Sequence, residues 1–244
     1  MNGKIVIITG GAQGIGKATA ERFCKEGASV VIWDINEEKG KECVIQFKNI
    51  GFNLLFQKVD TTDYTTVVNA ASEVINIYKK IDVLINCASI ISNAVDSKLT
   101  IDQWQKTIDI NLTGVFNCTK VIGPLMVKNK YGRIINTSSL MGMYGDNDQI
   151  NYSATNSGII GITRVWSREL GKQGITVNIV TPGFIASDNH ENPNPTSLKS
   201  IKDKIPVGRL GLPDDIANAY LFLAAESSSF INGAVLNVDG GYAA

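Results

Sequence analysis

One histidine, His190, occurs in 244 residues. A multi-histidine metal site is thereby excluded, and so are most nucleophile triads built on a histidine base. Cysteine is sparse as well: Cys24, Cys43, Cys87 and Cys118 lie 19 or more positions apart. That spacing offers no zinc ribbon, no Cys-x-x-Cys redox pair and no disulfide framework, so a reducing cytoplasm is the expected location. Net charge is absent, with 23 Lys+Arg against 23 Asp+Glu and a sequence pI near 6.6. No global field therefore draws the chain to nucleic acid or to an anionic membrane. No continuous run approaches the roughly 18 apolar residues of a membrane span. The chain opens Met1-Asn2-Gly3-Lys4 and passes straight into Ile5-Val6-Ile7-Ile8, without a leader-like segment.

What is present suits a folded core. Hydrophobic residues make up 44% and charged residues 19%, which excludes a disordered chain and fits one domain over 1–244 of the larger α/β kind. Short β-branched runs alternate with longer stretches of helical period. The pattern predicts strands at 4–9, 29–33, 53–59, 82–86, 133–136, 175–180 and 234–238, and helices at 15–27, 36–50, 64–79, 101–129, 150–171 and 213–225. Such alternation implies right-handed βαβ units and a Rossmann-like, doubly wound parallel sheet of about seven strands with helices on both faces. Gly27, Gly51 and Gly174 read as helix stops. The rhythm breaks only at 184–207, where Asn192-Pro193-Asn194-Pro195 marks a surface loop or substrate lid.

Two constellations carry chemistry. Thr9-Gly10-Gly11-Ala12-Gln13-Gly14-Ile15-Gly16 follows the first strand and opens a helix. Glycines there allow a tight turn and close approach of a pyrophosphate to the helix N-terminus. Asp34, at the end of the next strand and 18 residues past Gly16, can accept both adenosine ribose hydroxyls and would repel a 2′-phosphate. Ile35 follows it and Gln13 sits in the loop, so no cation is offered for that phosphate and NAD is the expected cofactor. An ordinary strand–turn–helix glycine cluster is the plainer reading, and the strand, helix and acid in register weigh against it. In the second constellation Ser139 ends a strand and Tyr152, 13 residues on, falls in the first turn of the next helix. Both can meet at the mouth of the sheet, although a tyrosine near a helix start is by itself more often packing than catalysis.

Together these residues resemble the short-chain dehydrogenase/reductase family, and most of all its 3-oxoacyl-carrier-protein/acetoacetyl-CoA reductases. The resemblance spans the whole chain: Thr9–Gly16, Asp60-Thr61, Asn111 within Ile110–Phe116, Ser139 with Tyr152, Pro182-Gly183, and Val238-Asp239-Gly240-Gly241. It implies hydride transfer between nicotinamide and a carbonyl or secondary alcohol, with small carbonyl compounds or acyl thioesters as substrates. It further implies Tyr152 as general acid/base, Ser139 on the carbonyl oxygen and Asn111 on a relay water. Asp60 and Thr61 would flank adenine, Asn86 and Ala88 the adenosine side, and Ile185 and Ser187 the nicotinamide carboxamide, beside Pro182-Gly183. A homotetramer is also implied.

Two departures fall on this site. The family's Tyr-x-x-x-Lys reads Tyr152-x-x-x-Asn156 here, and Asn-Asn-Ala-Gly reads Asn86-Cys87-Ala88-Ser89. The missing lysine would lie one helical turn past the tyrosine, lowering its pKa and holding the nicotinamide ribose. Asn156 can bond the ribose but adds no charge. Three functions stay open: a reductase, a weakened NAD-binding structural or regulatory subunit, and a non-redox lyase or isomerase using Tyr152. Smaller features have plain readings. Lys128, Lys130 and Lys172 read as a solvated helix-end cluster before a carrier-protein patch, His190 as a surface residue, Cys87 as buried and inert, and Trp104, Phe116 and Trp166 as core.

Overall fold

The computed structural model describes residues 1–91, 99–145, 149–186 and 195–243. Seven strands form one parallel sheet in the order β3-β2-β1-β4-β5-β6-β7. They are β1 (Ile5–Thr9), β2 (Ser29–Asp34), β3 (Leu54–Lys58), β4 (Val83–Asn86), β5 (Gly132–Thr137), β6 (Ile175–Pro182) and β7 (Val235–Val238). The helices are α1 (Gly14–Lys25), α2 (Glu37–Asn49), α3 (Tyr64–Tyr78), α4 (Ile101–Ile108), α5 (Gly114–Asn129), α6 (Met141–Tyr144), α7 (Ile150–Gly171), α8 (Pro195–Asp203) and α9 (Pro213–Ala224).

The strands are apolar on both faces because helices cover both. Alternate residues divide between two cores. Val6 and Ile8 of β1 and Val30 and Ile32 of β2 pack with Phe23 of α1, Phe47 of α2 and Tyr220 of α9. Ile5, Ile7, Val31 and Trp33 turn the other way, against Val67 of α3 and Cys118, Ile122 and Met126 of α5. Gly27, Gly51 and Gly174 all have positive φ where helices end, as their positions in the sequence predict.

Three expectations need correction. The helix predicted over 101–129 is interrupted by a π turn at Asp109–Thr113, closed by Gly114 N–H donating to Asp109 O. One inserted residue re-aims the chain there, so that Asn111 faces the segment after β4. Phe116 is not core: it is 46% exposed and stacks on half-buried Trp166, with ring centroids 6.3 Å apart. The inner face of α5 is already filled by Val115, Cys118, Ile122 and Met126; Trp104 is likewise only half-buried. The 184–207 segment is not loop throughout, since α8 lies within it. Among the described residues one helical stretch, Ile101–Asn129, is long and apolar enough to cross a bilayer by length and composition, but 50% of its apolar window is packed inside the fold.

Candidate active site

All the site motifs emerge at the carboxyl edge of the sheet, where open α/β folds bind ligands. The loop after β1 is anchored by Gly10 N–H donating to Trp33 O at 2.8 Å. A Cβ on Gly16 would stand 2.2 Å from Gly10 O, so only glycine lets α1 begin this close to the strand. Gln13, the N-cap of α1, does not cap it, and no acid occupies the first turn. The N–H groups of Gly14, Ile15 and Gly16 therefore meet what a pyrophosphate requires. Asp34 ends β2 beside this loop: Ala12 N–H donates to its Oδ2 at 3.1 Å and Asn36 N–H to its Oδ1 at 3.0 Å. Cys43 Sγ donates to Ala12 O at 3.2 Å, so the loop is held on both sides.

One expectation about this pocket fails. A cation does stand near it, because the first turn of α2 folds back over the glycine loop and Lys39 Nζ donates to Gln13 Oε1. Linear spacing hides Lys39, which is 26 positions from Gln13.

Asp60 and Thr61 follow β3. Asp60 Oδ1 accepts from Thr62 N–H at 2.9 Å and from Thr62 Oγ1 at 2.7 Å, while Thr61 is buried. At the end of β4, Thr9 Oγ1 accepts from both Cys87 N–H at 3.0 Å and Ala88 N–H at 3.1 Å, tying this turn to β1. Asn86 turns its side chain into the interior, where Nδ2 donates to Asn136 Oδ1 at 2.8 Å and Thr119 Oγ1 at 3.2 Å. Its side chain thus braces β4 against β5 and α5, and its backbone O accepts from Thr137 Oγ1 at 2.7 Å. Cys87 is half-buried rather than fully so, and burial pushes its thiol up to about 11, which keeps it protonated. Ser89 is exposed.

The candidate catalytic residues come from β5, α7 and the π turn. Ser139 is buried just past β5, and its Oγ accepts from Met141 N–H at 3.3 Å. Tyr152 stands in the first turn of α7; Asn151, before it, donates from Nδ2 to Thr107 Oγ1 at 2.9 Å and pins that turn to α4. Burial pushes the Tyr152 phenol above its ordinary pKa, while the Ser139 and Asn156 side chains pull it partway back. Ser138 Oγ donates to Asn156 O at 3.1 Å, which holds the turn carrying Ser139 against α7. Among the described residues no cation acts on the phenol. Asn156 is buried, and its Nδ2 donates to Tyr152 O at 2.8 Å, so the amide is taken up by its own helix. Asn111 is buried too; its side chain accepts from Ile90 N–H at 2.8 Å and donates to Ile90 O at 2.9 Å, clamping the segment after β4.

Beyond β6, Gly183 N–H donates to Val238 O at 3.0 Å and Leu140 N–H to Pro182 O at 3.4 Å, which draws this turn toward Ser139. Ile185 bridges to Gly211. Ser187 and His190 lie outside the described residues. Lys128, Lys130 and Lys172 are exposed at the C-terminal ends of α5 and α7, across the sheet from the site within this chain. Helix ends of that kind favour cations for their own sake.

Comparison with known proteins gives the family. Residues 4–197 match the family described as short chain dehydrogenase. A 3-oxoacyl-[acyl-carrier-protein] reductase FabG of Thermotoga maritima is 38% identical over 241 residues, covering 99% of this chain and 98% of that protein. A subunit, BbsD, of the (2S)-[(R)-hydroxy(phenyl)methyl]succinyl-CoA dehydrogenase of Thauera aromatica is 40% identical over 238 residues, 98% of this chain and 96% of the relative. The crystal structure of gox2181 superposes with a TM-score of 0.94 at 30% identity, covering 99% of this chain and 96% of that one. The chain belongs to the short-chain dehydrogenase/reductase family and is an oxidoreductase.

Proposed function

We propose that this enzyme interconverts a carbonyl compound and its secondary alcohol with NAD(H), and that 3-oxoacyl thioesters are the first substrates to try. The observation that carries the reading is the juxtaposition of the Ser139 turn and the Tyr152 turn, joined where Ser138 Oγ donates to Asn156 O at 3.1 Å, at the same sheet edge as an uncapped, glycine-lined helix start. Gly10, Gln13, Gly14, Ile15 and Gly16 would hold the pyrophosphate, Asp34 the adenosine ribose, Asp60 and Thr61 the adenine, and Pro182, Gly183 and Ile185 the nicotinamide end. When bound, the nicotinamide supplies or receives the hydride. Ser139 Oγ holds the substrate carbonyl oxygen, and the Tyr152 phenol gives that oxygen its proton during reduction. A phenol pushed above its usual range stays protonated at neutral pH, which is the form reduction needs; oxidation needs the phenolate. Asp34 supports NAD over NADP, with Lys39 acting against it.

Asn156 supports a second reading. Without a charge beside Tyr152 the chain would turn over slowly and serve as an NAD-binding subunit of a larger assembly. The half-exposed Phe116 on α5 and Val165 on α7, with the fully exposed Phe230 near the C-terminus, support self-association, with a homotetramer as the proposed state. Four free thiols fit a cytoplasmic location. Titrating NADH and NADPH by fluorescence, then following NADH oxidation across carbonyl compounds that include acetoacetyl-CoA, separates the two readings. Binding with turnover supports the reductase, and binding without turnover supports the subunit.

A further inference from the structure

The helix that carries Cys118 and Ile122 into the core also carries a polar side chain inward, and nothing in the chemistry above uses it. Asn117 of α5 is only 6% exposed. Its Nδ2 donates to Thr61 O at 3.0 Å and to Thr62 O at 3.2 Å. One turn earlier α5 is pared back to Gly114, where a Cβ would stand 2.6 Å from Thr61 Oγ1. The loop after β3 therefore lies directly on α5, admitted by a glycine and held by an amide. Its other end is tied to the sheet, since Val59 N–H donates to Asp34 O at 3.1 Å. Within the loop, the bonds from Thr62 to Asp60 Oδ1 make a stiff turn. Asn117 decides where that turn sits relative to Asp34.

We propose that Asn117 is a positioning residue for the adenosine half of the cofactor, setting the Asp60–Thr61 wall of the pocket next to Asp34. The proposal rests on the dinucleotide reading above. Without the amide, one buried and one half-buried loop carbonyl would face an apolar side chain; a polar group left unpaired in that way costs more than an ordinary hydrogen bond is worth, so the loop moves toward water. None of the hydrogen bonds of Asn117 goes to Ser139, Tyr152 or Asn156. The effect belongs to one half of the ligand.

Calorimetric titration of the full-length parent, Asn117→Leu and Asn117→Gln with NADH, ADP-ribose and reduced nicotinamide mononucleotide tests this, alongside thermal denaturation of each unliganded protein. In Asn117→Leu, NADH and ADP-ribose should weaken by the same factor, about tenfold. The mononucleotide should change by less than about twofold, which is under 0.5 kcal/mol. Asn117→Gln, which keeps the donor, should recover most of the loss. If Asn117→Leu does not fold, Asn117→Ser carries the same comparison. NADH and ADP-ribose affinities within about twofold of the parent would overturn the assignment, because each tenfold step is only about 1.4 kcal/mol. So would a parallel loss of mononucleotide binding, the mark of general damage. A parent that binds neither NADH nor ADP-ribose overturns the dinucleotide reading, and this proposal with it.

Discussion

Asn156→Lys is the substitution whose consequences follow most directly from the site. Position 156 lies one helical turn past Tyr152, on the same face of α7. The phenol there is raised by burial and relieved only by two neutral side chains. An ammonium about 5 Å from a phenolate, at an effective dielectric constant of about 20, stabilises it by about 3 kcal/mol. Tyr152 is only partly buried, and solvent screening reduces that to about half, roughly one pKa unit. General acid–base catalysis as a whole contributes about 10²–10⁴-fold, so a rise in kcat of about tenfold is expected. The pH optimum should move toward neutrality. Asn156 is 3% exposed, and its neighbour α6 leaves no slack: a Cβ on Gly142 would stand 2.5 Å from Asn156 Cβ. An ammonium placed there without the cofactor is poorly solvated, so the unliganded variant should melt lower and NADH should restore its Tm. Steady-state kinetics from pH 6 to 10, with thermal denaturation plus and minus NADH, reads all three. A variant that binds NADH as well as the parent, with kcat and pH profile unmoved, refutes the reasoning. A fast parent slowed by the lysine shows that Asn156 is suited to a different reaction.

Asp34→Ala should weaken NADH by about 1.5–3 kcal/mol, the worth of charge-assisted hydrogen bonds, and narrow its lead over NADPH; fluorescence titration measures both. Removing Lys39 as well should weaken NADPH and widen that lead again. Stability should fall on the alkaline side. Burial raises Cys24 and Cys118 to about 12 and Cys87 to about 11, and Tyr152 and Tyr220 also lie above their usual range. Groups raised by folding favour the native state fully below their unfolded pKa, about 8.5 for a thiol, and that contribution disappears as pH climbs through the folded values. Urea denaturation should therefore give a lower midpoint at pH 10.5 than at pH 8, and an unchanged midpoint contradicts the burial of these thiols. Light scattering should give a mass well above 26.3 kDa at micromolar concentration, and Phe116→Asp should lower it.

Periodicity made the fold legible because all seven strands are short apolar runs closed by turns, and a parallel sheet rewards that pattern on both faces. The placement of Asp34 beside the glycine loop was legible for a related reason: the steric demands of a tight strand–turn–helix act over short, fixed spacings. Contacts set by tertiary packing were hidden. Asn86 reads as a ligand residue by position, yet Asn136 and Thr119 draw its side chain inward, 50 and 33 residues away. Lys39 meets Gln13 only because α2 folds over the loop. The π turn leaves no trace in apolar spacing, since one extra residue merely shifts the phase. Phe116 looked like core because hydrophobicity does not say which face of α5 is already full.

Tyr152→Phe, compared with the parent in NADH-dependent reduction of acetoacetyl-CoA, tests the central claim most directly. The account predicts that the variant binds NADH as the parent does and loses about 10²-fold or more in kcat, because only the phenolic hydroxyl, the proton donor, is removed. Equal rates in the two proteins, or NADH binding that collapses with the hydroxyl, would contradict it.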